Sequence, residues 1–282
     1  ALELGLSLVV AALLRQSFLP GAPVLYLWLL WQARGRVSLG RALGPLVLAG
    51  VVLLLGILPW TIRNYRVYGQ FLLLNSNTGY AMYSAQNPMH GARFSEFAAA
   101  PLPDNLKGAN EAQWDRELMR IGLQFVRDDP WRYLRLCASR ARAYFEFWPT
   151  PDTTLLHNIG RVASFGFWLP FMLYGLILAG RGSQRSLNPD PHQHPPHPPL
   201  SHVVYGRGAG GEGFSPFAGW VLSLPYLFMI FYPLVHIATW AMVRYRLPVD
   251  AVALIFAALA LQDLYGRTQA WVVARRATHA TH

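Results

Sequence analysis

ALGPLVLAGVVLLLGILPWTI, residues 42–62, runs 21 residues without a charged side chain. A bilayer hydrocarbon core about 30 Å thick is crossed by roughly 20 apolar residues in a helix. Two further charge-free runs meet that length, Val162–Gly180 with 19 residues and Phe214–Val243 with 30. A soluble core holds one such helix; three, with more apolar sequence on both sides of Arg15, predict an all-α polytopic membrane protein. Composition agrees, since 53% of the chain is hydrophobic and 13% charged, about half the ~25% charge of a soluble domain.

Charge and cysteine content narrow the function classes. The single Cys137 excludes disulfides within the chain and any cysteine-based metal cluster. The formal charge of +10 resides mostly beside the apolar runs, where membrane topology places basic residues. The expected partner is therefore the lipid bilayer with its anionic headgroups, and no nucleic acid. The chain begins Ala1-Leu2-Glu3, without methionine or a charged signal-peptide region, so we expect it to start inside a longer parent.

The predicted organisation has about six transmembrane helices and an extracytoplasmic, mostly helical domain. Residues 1–62 hold a short hairpin and one span. Gly5–Leu14 and Phe18–Trp31 flank the polar trio Arg15-Gln16-Ser17, and Pro20 and Pro23 interrupt the helical ladder just beyond. A hairpin with Arg15 near the far face is preferred, with one long kinked helix as the alternative. The acid-free loop Arg34…Arg36…Arg41 reads as cytoplasmic under the positive-inside rule. Residues 42–62 then cross outward to Pro59-Trp60-Thr61-Ile62-Arg63-Asn64-Tyr65, whose aromatics mark an interface.

Residues 63–160 form the extracytoplasmic domain. Phe71–Leu74 is strand-like and is followed by a turn-rich loop. Trp114, Leu118, Ile121 and Phe125 recur at helical spacing from Asn110 to Arg127. Asp128-Asp129-Pro130 ends that helix and starts a second over Trp131–Phe147. Residues 161–180 form a span. Residues 181–213, rich in Pro, Gly and His, are expected to be a disordered cytoplasmic loop. Residues 214–266 hold two spans and 267–282 a cytoplasmic tail. The run Phe214–Val243 is read as one proline-bent, tilted helix, a hairpin being the alternative.

Chemistry is expected where two arginine-bearing segments follow outward crossings, Arg63-Asn64-Tyr65 and Arg244-Tyr245-Arg246. Arginine forks bind phosphate oxygens bidentately, and low-dielectric surroundings strengthen the contact. Three arginines at one outer interface suit the phosphate of a lipid carrier; the alternative is that they snorkel to headgroups. Arg15, His236 and Asp250 are further possibilities. His236 lies within an apolar run, where ionisable groups are functional candidates or satisfy a neighbouring helix. Asp250 sits four residues after Arg246 and could pair with it. Asp104, Asp128, Asp129 and Asp152 read as caps and turn residues. No metal site or cofactor is expected: His192, His194, His197 and His202 stand in a proline-rich setting that cannot preorganise one.

Four segments then show a resemblance: LPWTIRNYRVYGQFLLLNSNTGYAMYSAQNP, GLSLVVAALLRQSFLPGAPVLYLWLL, RELMRIGLQFVRDDPWRYLRL…RARAYFEFWPTP and VHIATWAMVRYRLPVDAVALIFAALAL. Together they resemble the bacterial GT-C glycosyltransferases, in particular family 39 and aminoarabinose-transferase-like enzymes. The resemblance covers most of the chain except the His/Pro-rich loop. It implies a catalytic cavity at the outer face of the bacterial inner membrane, with a polyprenyl-phosphate-sugar donor and a lipid, glycan or protein acceptor. It implies Arg63, Arg244 and Arg246 as phosphate contacts, with Asn64, Tyr65, Asn77 and Tyr245 shaping the cavity. The family's catalytic carboxylate lies in a first outer loop, upstream of anything present here, so the fragment is expected to hold binding residues and no catalytic one. A transporter or flippase of lipid-linked sugars is the alternative, and a scaffolding membrane subunit the third reading; the absence of a detectable inverted repeat weighs against transport.

Overall fold

The structure, a computed structural model, describes residues 1–95, 98–151, 153–187 and 217–280. Asp152, the four histidines of the Pro-rich loop and most of that loop lie outside the described residues. The described regular structure is all helical. Three helical stretches are long and apolar enough to cross a membrane, Leu39–Tyr68, Leu155–Arg181 and Val243–Val272, and two apolar helices are shorter, Leu2–Leu14 and Ser223–Ala238. The chain divides into two units, residues 1–145 with 231–246, and residues 146–230 with 247–282.

The first unit opens with the predicted hairpin. Helix α1 (Leu2–Leu14) stops at Arg15, whose backbone is extended, and a 3₁₀ turn (Gln16–Phe18) leads to α2 (Gly21–Ala33). Both lie on α3 (Leu39–Tyr68), and small residues set the register. A Cβ on Gly5 would stand 2.6 Å from that of Val52, and one on Gly56 would stand 2.3 Å from Val9. Close approach through glycine is how helices pack where lipid supplies no hydrophobic drive. The pairings Gly5 with Val52 and Val9 with Gly56 make α1 parallel to α3. Helix α2 runs the other way, with Tyr26 opposite Gly50 and Ala22 clustered with Leu53 and Ile57. Arg15 therefore sits at the same end of this layer as Trp60–Asn64.

Helix α3 ends at Gly69 in the left-handed conformation (φ 67°), the usual glycine stop. The strand predicted at Phe71–Leu74 is absent. The stretch is irregular, bending at Leu73 and Leu74, and the carbonyls of Leu72, Leu73 and Leu74 are taken by side chains of α3. Trp60 Nε1 donates to Leu74 O at 2.9 Å and Thr61 Oγ1 to Leu73 O at 2.8 Å. Asn64 Nδ2 donates to Leu72 O at 3.2 Å and Leu74 O at 2.7 Å. Side chains of a helix, not a neighbouring strand, satisfy this stretch of backbone.

Helix α4 (Thr78–Gln86) crosses α5 (Glu111–Asp128) at two glycines. A Cβ on Gly79 would meet the Asp115 carbonyl at 1.8 Å, and one on Gly122 the Met82 and Tyr83 backbone at 2.8 Å. The Asp115 carboxylate accepts from the Gly79 N–H at 2.6 Å; burial pushes its pKa up and that bond pulls it down. A capping box between Asn110 and Gln113 starts α5. Asp129 caps α6 (Pro130–Tyr144), with Pro130 in the first turn, so the predicted helix pair is present with ends shifted by a few residues.

The second unit contains α7 (Leu155–Arg161), a π turn (Val162–Gly166) and α8 (Leu169–Leu187). It also takes the N-terminal part of α9 (Phe217–Ala238) and all of α10 (Leu247–Ala280). Helix α9 continues through Pro225 and Pro233, so its described part is one helix and not a hairpin. Gly175 on α8 lies where a Cβ would be 1.7 Å from Phe256 O of α10. Around that contact Phe165, Met172, Ala253 and Ala257 form a buried cluster. Helix α10 continues through residues 267–280.

Candidate functional site

The first unit encloses a cavity of about 600 Å³ at the Arg15 end of the hairpin, within the size range of small-molecule sites. Three pieces of chain build its wall. The α1–α2 break supplies Arg15, Gln16 and Ser17. The loop before α4 supplies Asn75, Asn77 and Thr78, and the segment around the end of α9 supplies His236, Thr239, Trp240, Arg244 and Tyr245. Gln16 ties the first two together, its Nε2 donating to Thr78 Oγ1 at 3.1 Å and its Oε1 accepting from Asn75 N–H at 3.0 Å.

The third piece is held from behind. Helix α9 ends at Ala238, and its last carbonyls face the fully buried Arg140 of α6. Arg140 Nη1 donates to Ile237 O at 2.7 Å and Thr239 O at 3.0 Å, and Nη2 donates to Gln86 Oε1 at 2.7 Å. A cation at a helix C-terminus satisfies orphan carbonyls and complements the helix dipole. Tyr133 adds a bond from its hydroxyl to Ala238 O at 3.3 Å; burial pushes its phenol up to about 12, with Cys137 contributing, so it remains a donor throughout the physiological range. Tyr144 Oη donates to Tyr245 O at 3.0 Å. The backbone carrying Thr239 to Tyr245 is thereby fixed by side chains of α6.

Two guanidiniums share one ring in this wall. Arg15 Cζ lies 4.5 Å from the Tyr245 centroid and Arg244 Cζ lies 5.5 Å from it. The His236 ring is 4.6 Å from Tyr245 and 4.8 Å from Tyr232. Among the described wall residues there are two arginines and no carboxylate. The amides of Gln16, Asn75 and Asn77 add neutral polarity, and Leu19, Leu73, Val235 and Met242 complete an apolar side. Such a site attracts an anion carrying an apolar tail.

The residues proposed from sequence separate here. Asn77, Arg244 and Tyr245 are in the wall, as are Arg15 and His236. Arg63 is outside it, exposed, with Nη1 3.1 Å from Asn64 Oδ1 and the guanidinium 5.3 Å from the Trp60 ring. Asn64 is 1% exposed and serves the 72–74 backbone, while Tyr65 is exposed. Arg246 is 3% exposed and donates to Tyr144 O at 3.1 Å, at the end of α6. Arg244 and Arg246 occupy a 3₁₀ turn, Val243–Arg246. A two-residue step there turns a side chain by about 120° relative to its fellow, which sends one into the cavity wall and the other inward. Asp250 belongs to the second unit, in the first turn of α10.

Sequence reasoning passed over Gln16, Asn75, Thr78, Tyr80, Thr239 and Trp240 as wall residues. The signal for Gln16 was present, since it is an amide beside an arginine in an apolar stretch; the others carry none. Among the described residues no group of His, Cys, Asp and Glu could hold a metal ion. Comparisons with protein-family models, with curated proteins and with solved structures returned no match to this chain.

Proposed function

We propose that the chain binds the phosphate of a polyprenyl-phosphate-linked sugar between Arg15 and Arg244, and serves in transferring that sugar to an acceptor at the outer face of a bacterial inner membrane. The observation that carries this reading is that two arginines lie against one ring, Tyr245, in a wall without a carboxylate among its described residues. Arginine matches phosphate oxygens with parallel donors, and the apolar side suits a prenyl chain. In transfer, the anomeric C–O bond to phosphate breaks while the acceptor oxygen bonds to the anomeric carbon. Negative charge grows on the departing lipid phosphate, and fixed guanidiniums stabilise it where it develops. No carboxylate stands among the described wall residues to take the acceptor proton, and in this reading these residues bind and orient the donor.

The topology proposed with this function has about six crossings. Helices α1 and α2, about 20 Å long each at 1.5 Å per residue, enter as a short hairpin whose tip carries Arg15. Helix α3 crosses outward, and residues 63–145 lie outside. The resemblance to GT-C glycosyltransferases supports the same placement. A flippase that moves the donor without chemistry is the second reading, favoured by the carboxylate-free wall.

Binding of undecaprenyl phosphate to the purified protein in nanodiscs tests the site. Arg15→Ala and Arg244→Ala should each weaken binding about 10-fold or more, the worth of a charge-assisted hydrogen bond, while Arg120→Ala should leave it unchanged. Equal affinity in all four proteins would refute the phosphate clamp. Sugar transfer, against lipid translocation alone in proteoliposomes, separates the two readings. In a Cys137→Ala background, cysteines at Val37 and Ser95 should label from opposite sides of the membrane; labelling from one side would refute the topology.

A further inference from the structure

Asn77 stands where a helix cap belongs and does not cap. It holds the N-cap position of α4, which asparagine favours because its side-chain oxygen accepts from an N–H of the first turn. Here its backbone is already in the right-handed helical region (φ −104°, ψ −11°), and its side chain makes no capping bond. Asp115 of α5 takes the Gly79 N–H instead, at 2.6 Å. The Asn77 amide is thereby released from the helix; the residue is exposed and lines the cavity.

Its neighbours border the two guanidiniums from both sides. Asn75, also exposed, gives its N–H to Gln16 Oε1 at 3.0 Å, and Gln16 follows Arg15 in the chain. On the other side Trp240 enters the wall shortly before Arg244. Its indole packs against the cluster of Ala85, Phe94 and Leu136, with Phe94 edge-on at 5.2 Å. Trp240 is only half-buried, so the ring is held from behind while part of it stays open.

The chemistry of these groups narrows what they recognise. A phosphate fills a small part of a cavity of about 600 Å³, and guanidiniums offer donors alone. A side-chain amide offers donors and an acceptor together, the match for a hydroxyl, which is itself both. A flat aromatic ring carries negative charge on its faces, and these attract the weakly positive C–H bonds on the apolar face of a sugar ring. A prenyl chain would use the indole and have no use for the amides.

We infer that Trp240 and the amides of Asn77 and Asn75 form a glycosyl subsite beside the arginines, the indole stacking on the sugar's C–H face and the amides bonding its hydroxyls. The cavity then selects a glycosylated lipid phosphodiester over one without a sugar. This deepens the phosphate reading of the same cavity and rests on it.

The test measures binding to the intact protein in nanodiscs. The probes are undecaprenyl phosphate, its methyl phosphodiester, and its glucosyl, galactosyl, mannosyl and arabinosyl phosphodiesters; the methyl diester matches the sugar diesters in charge. The wild type should bind at least one sugar diester about 10-fold more tightly than the methyl diester, the combined worth of a neutral hydrogen bond and an aromatic contact. Asn77→Ala and Trp240→Leu should each cut that preference about threefold or more, with methyl diester affinity kept within about twofold, which also shows that both variants fold. Trp240→Phe, which keeps a flat ring, should retain part of the preference. A preference that survives intact in Asn77→Ala or in Trp240→Leu, or its absence from the wild type across the four sugars, overturns the inference and leaves the phosphate site standing. Binding of undecaprenyl phosphate without any diester does the same. If the wild type binds no probe at all, the phosphate reading fails and takes the inference with it. Equal losses for methyl and sugar diesters in both variants would assign the two side chains to structure and overturn the subsite.

Discussion

Replacing Arg140 with methionine removes the guanidinium that closes α9 while keeping most of the side-chain volume. Four acceptors lose this donor: Ile237 O, Thr239 O, Gln86 Oε1 and Ala85 O, now at 2.7, 3.0, 2.7 and 3.4 Å. Ala238 O keeps the Tyr133 hydroxyl. Each buried acceptor left unpaired costs about 1–3 kcal/mol, and relief from burying a charge recovers part of the sum. The expected net loss is about 3–5 kcal/mol, the scale for breaking one partner out of a buried charged network. For a chain of this size that corresponds to a melting shift of roughly 10 °C. Intrinsic tryptophan fluorescence in detergent reads the transition directly, because Trp240 follows the capped carbonyls and stands edge-on to Phe94 at 5.2 Å. Arg140→Lys should fall between the two, since an ammonium lacks the planar fork that reaches several carbonyls at once. An Arg140→Met protein melting within about 2 °C of wild type would refute the idea that this arginine holds the cavity's rear wall.

Other outcomes follow from single contacts. Gly122→Ala should destabilise the first unit by about 1–3 kcal/mol, the cost of overpacking, because the new methyl meets backbone at 2.8 Å; an unchanged urea midpoint would contradict the crossing. Arg63→Ala should change undecaprenyl phosphate affinity less than twofold, against about 10-fold for Arg15→Ala, and the reverse order would restore the clamp expected from sequence alone. His90 is buried with Nε2 3.0 Å from Ser84 O, and burial is the main cause lowering its pKa below 6.5, Arg140 and Arg132 adding to it. A depressed folded value means the unfolded chain binds protons first as pH falls. Its contribution is therefore whole above pH 6.5 and lost on acidification through the lowered value, so the protection factors of the Phe94 and Ser95 amides, taken against the intrinsic exchange rate at each pH, should fall below pH 6.5; a pH-independent protection factor would contradict this.

Helix existence was legible because it rests on local pattern: charge-free length for α3, helical spacing for α5, an Asp-Asp-Pro punctuation before α6. The side-chain facing that fixes the site was harder to see. On α3 the buried set Ala49, Leu53, Ile57, Thr61 and Asn64 advances by three or four residues. Asn64 continues that stripe, and Arg63, one residue and about 100° away, leaves it. The stripe is visible in the letters, yet in a lipid-facing helix leucine serves both faces, so polarity does not mark which side is inside. The pair Arg244 and Arg246 depended on a 3₁₀ turn that no composition signal announces. Arg140 was hidden for another reason: its partners are backbone carbonyls nearly a hundred residues away, and carbonyls carry no sequence signature. Arg15 was legible as an oddity, a charge in an apolar hairpin, without a direction attached.

The pinning of Phe71–Leu74 by α3 has a consequence for how the chain survives its own synthesis. Phe-Leu-Leu-Leu is a short, uncharged, apolar tract, and such tracts pair with copies of themselves once exposed as strands, at an open edge above all. In the folded protein Trp60, Thr61 and Asn64 occupy the carbonyls such pairing would use. They emerge from the ribosome just before the tract, ready to shield it. Loss of Asn64 frees the Leu72 carbonyl and removes one of the two donors on Leu74, and it should show first as insoluble or higher-order material during expression.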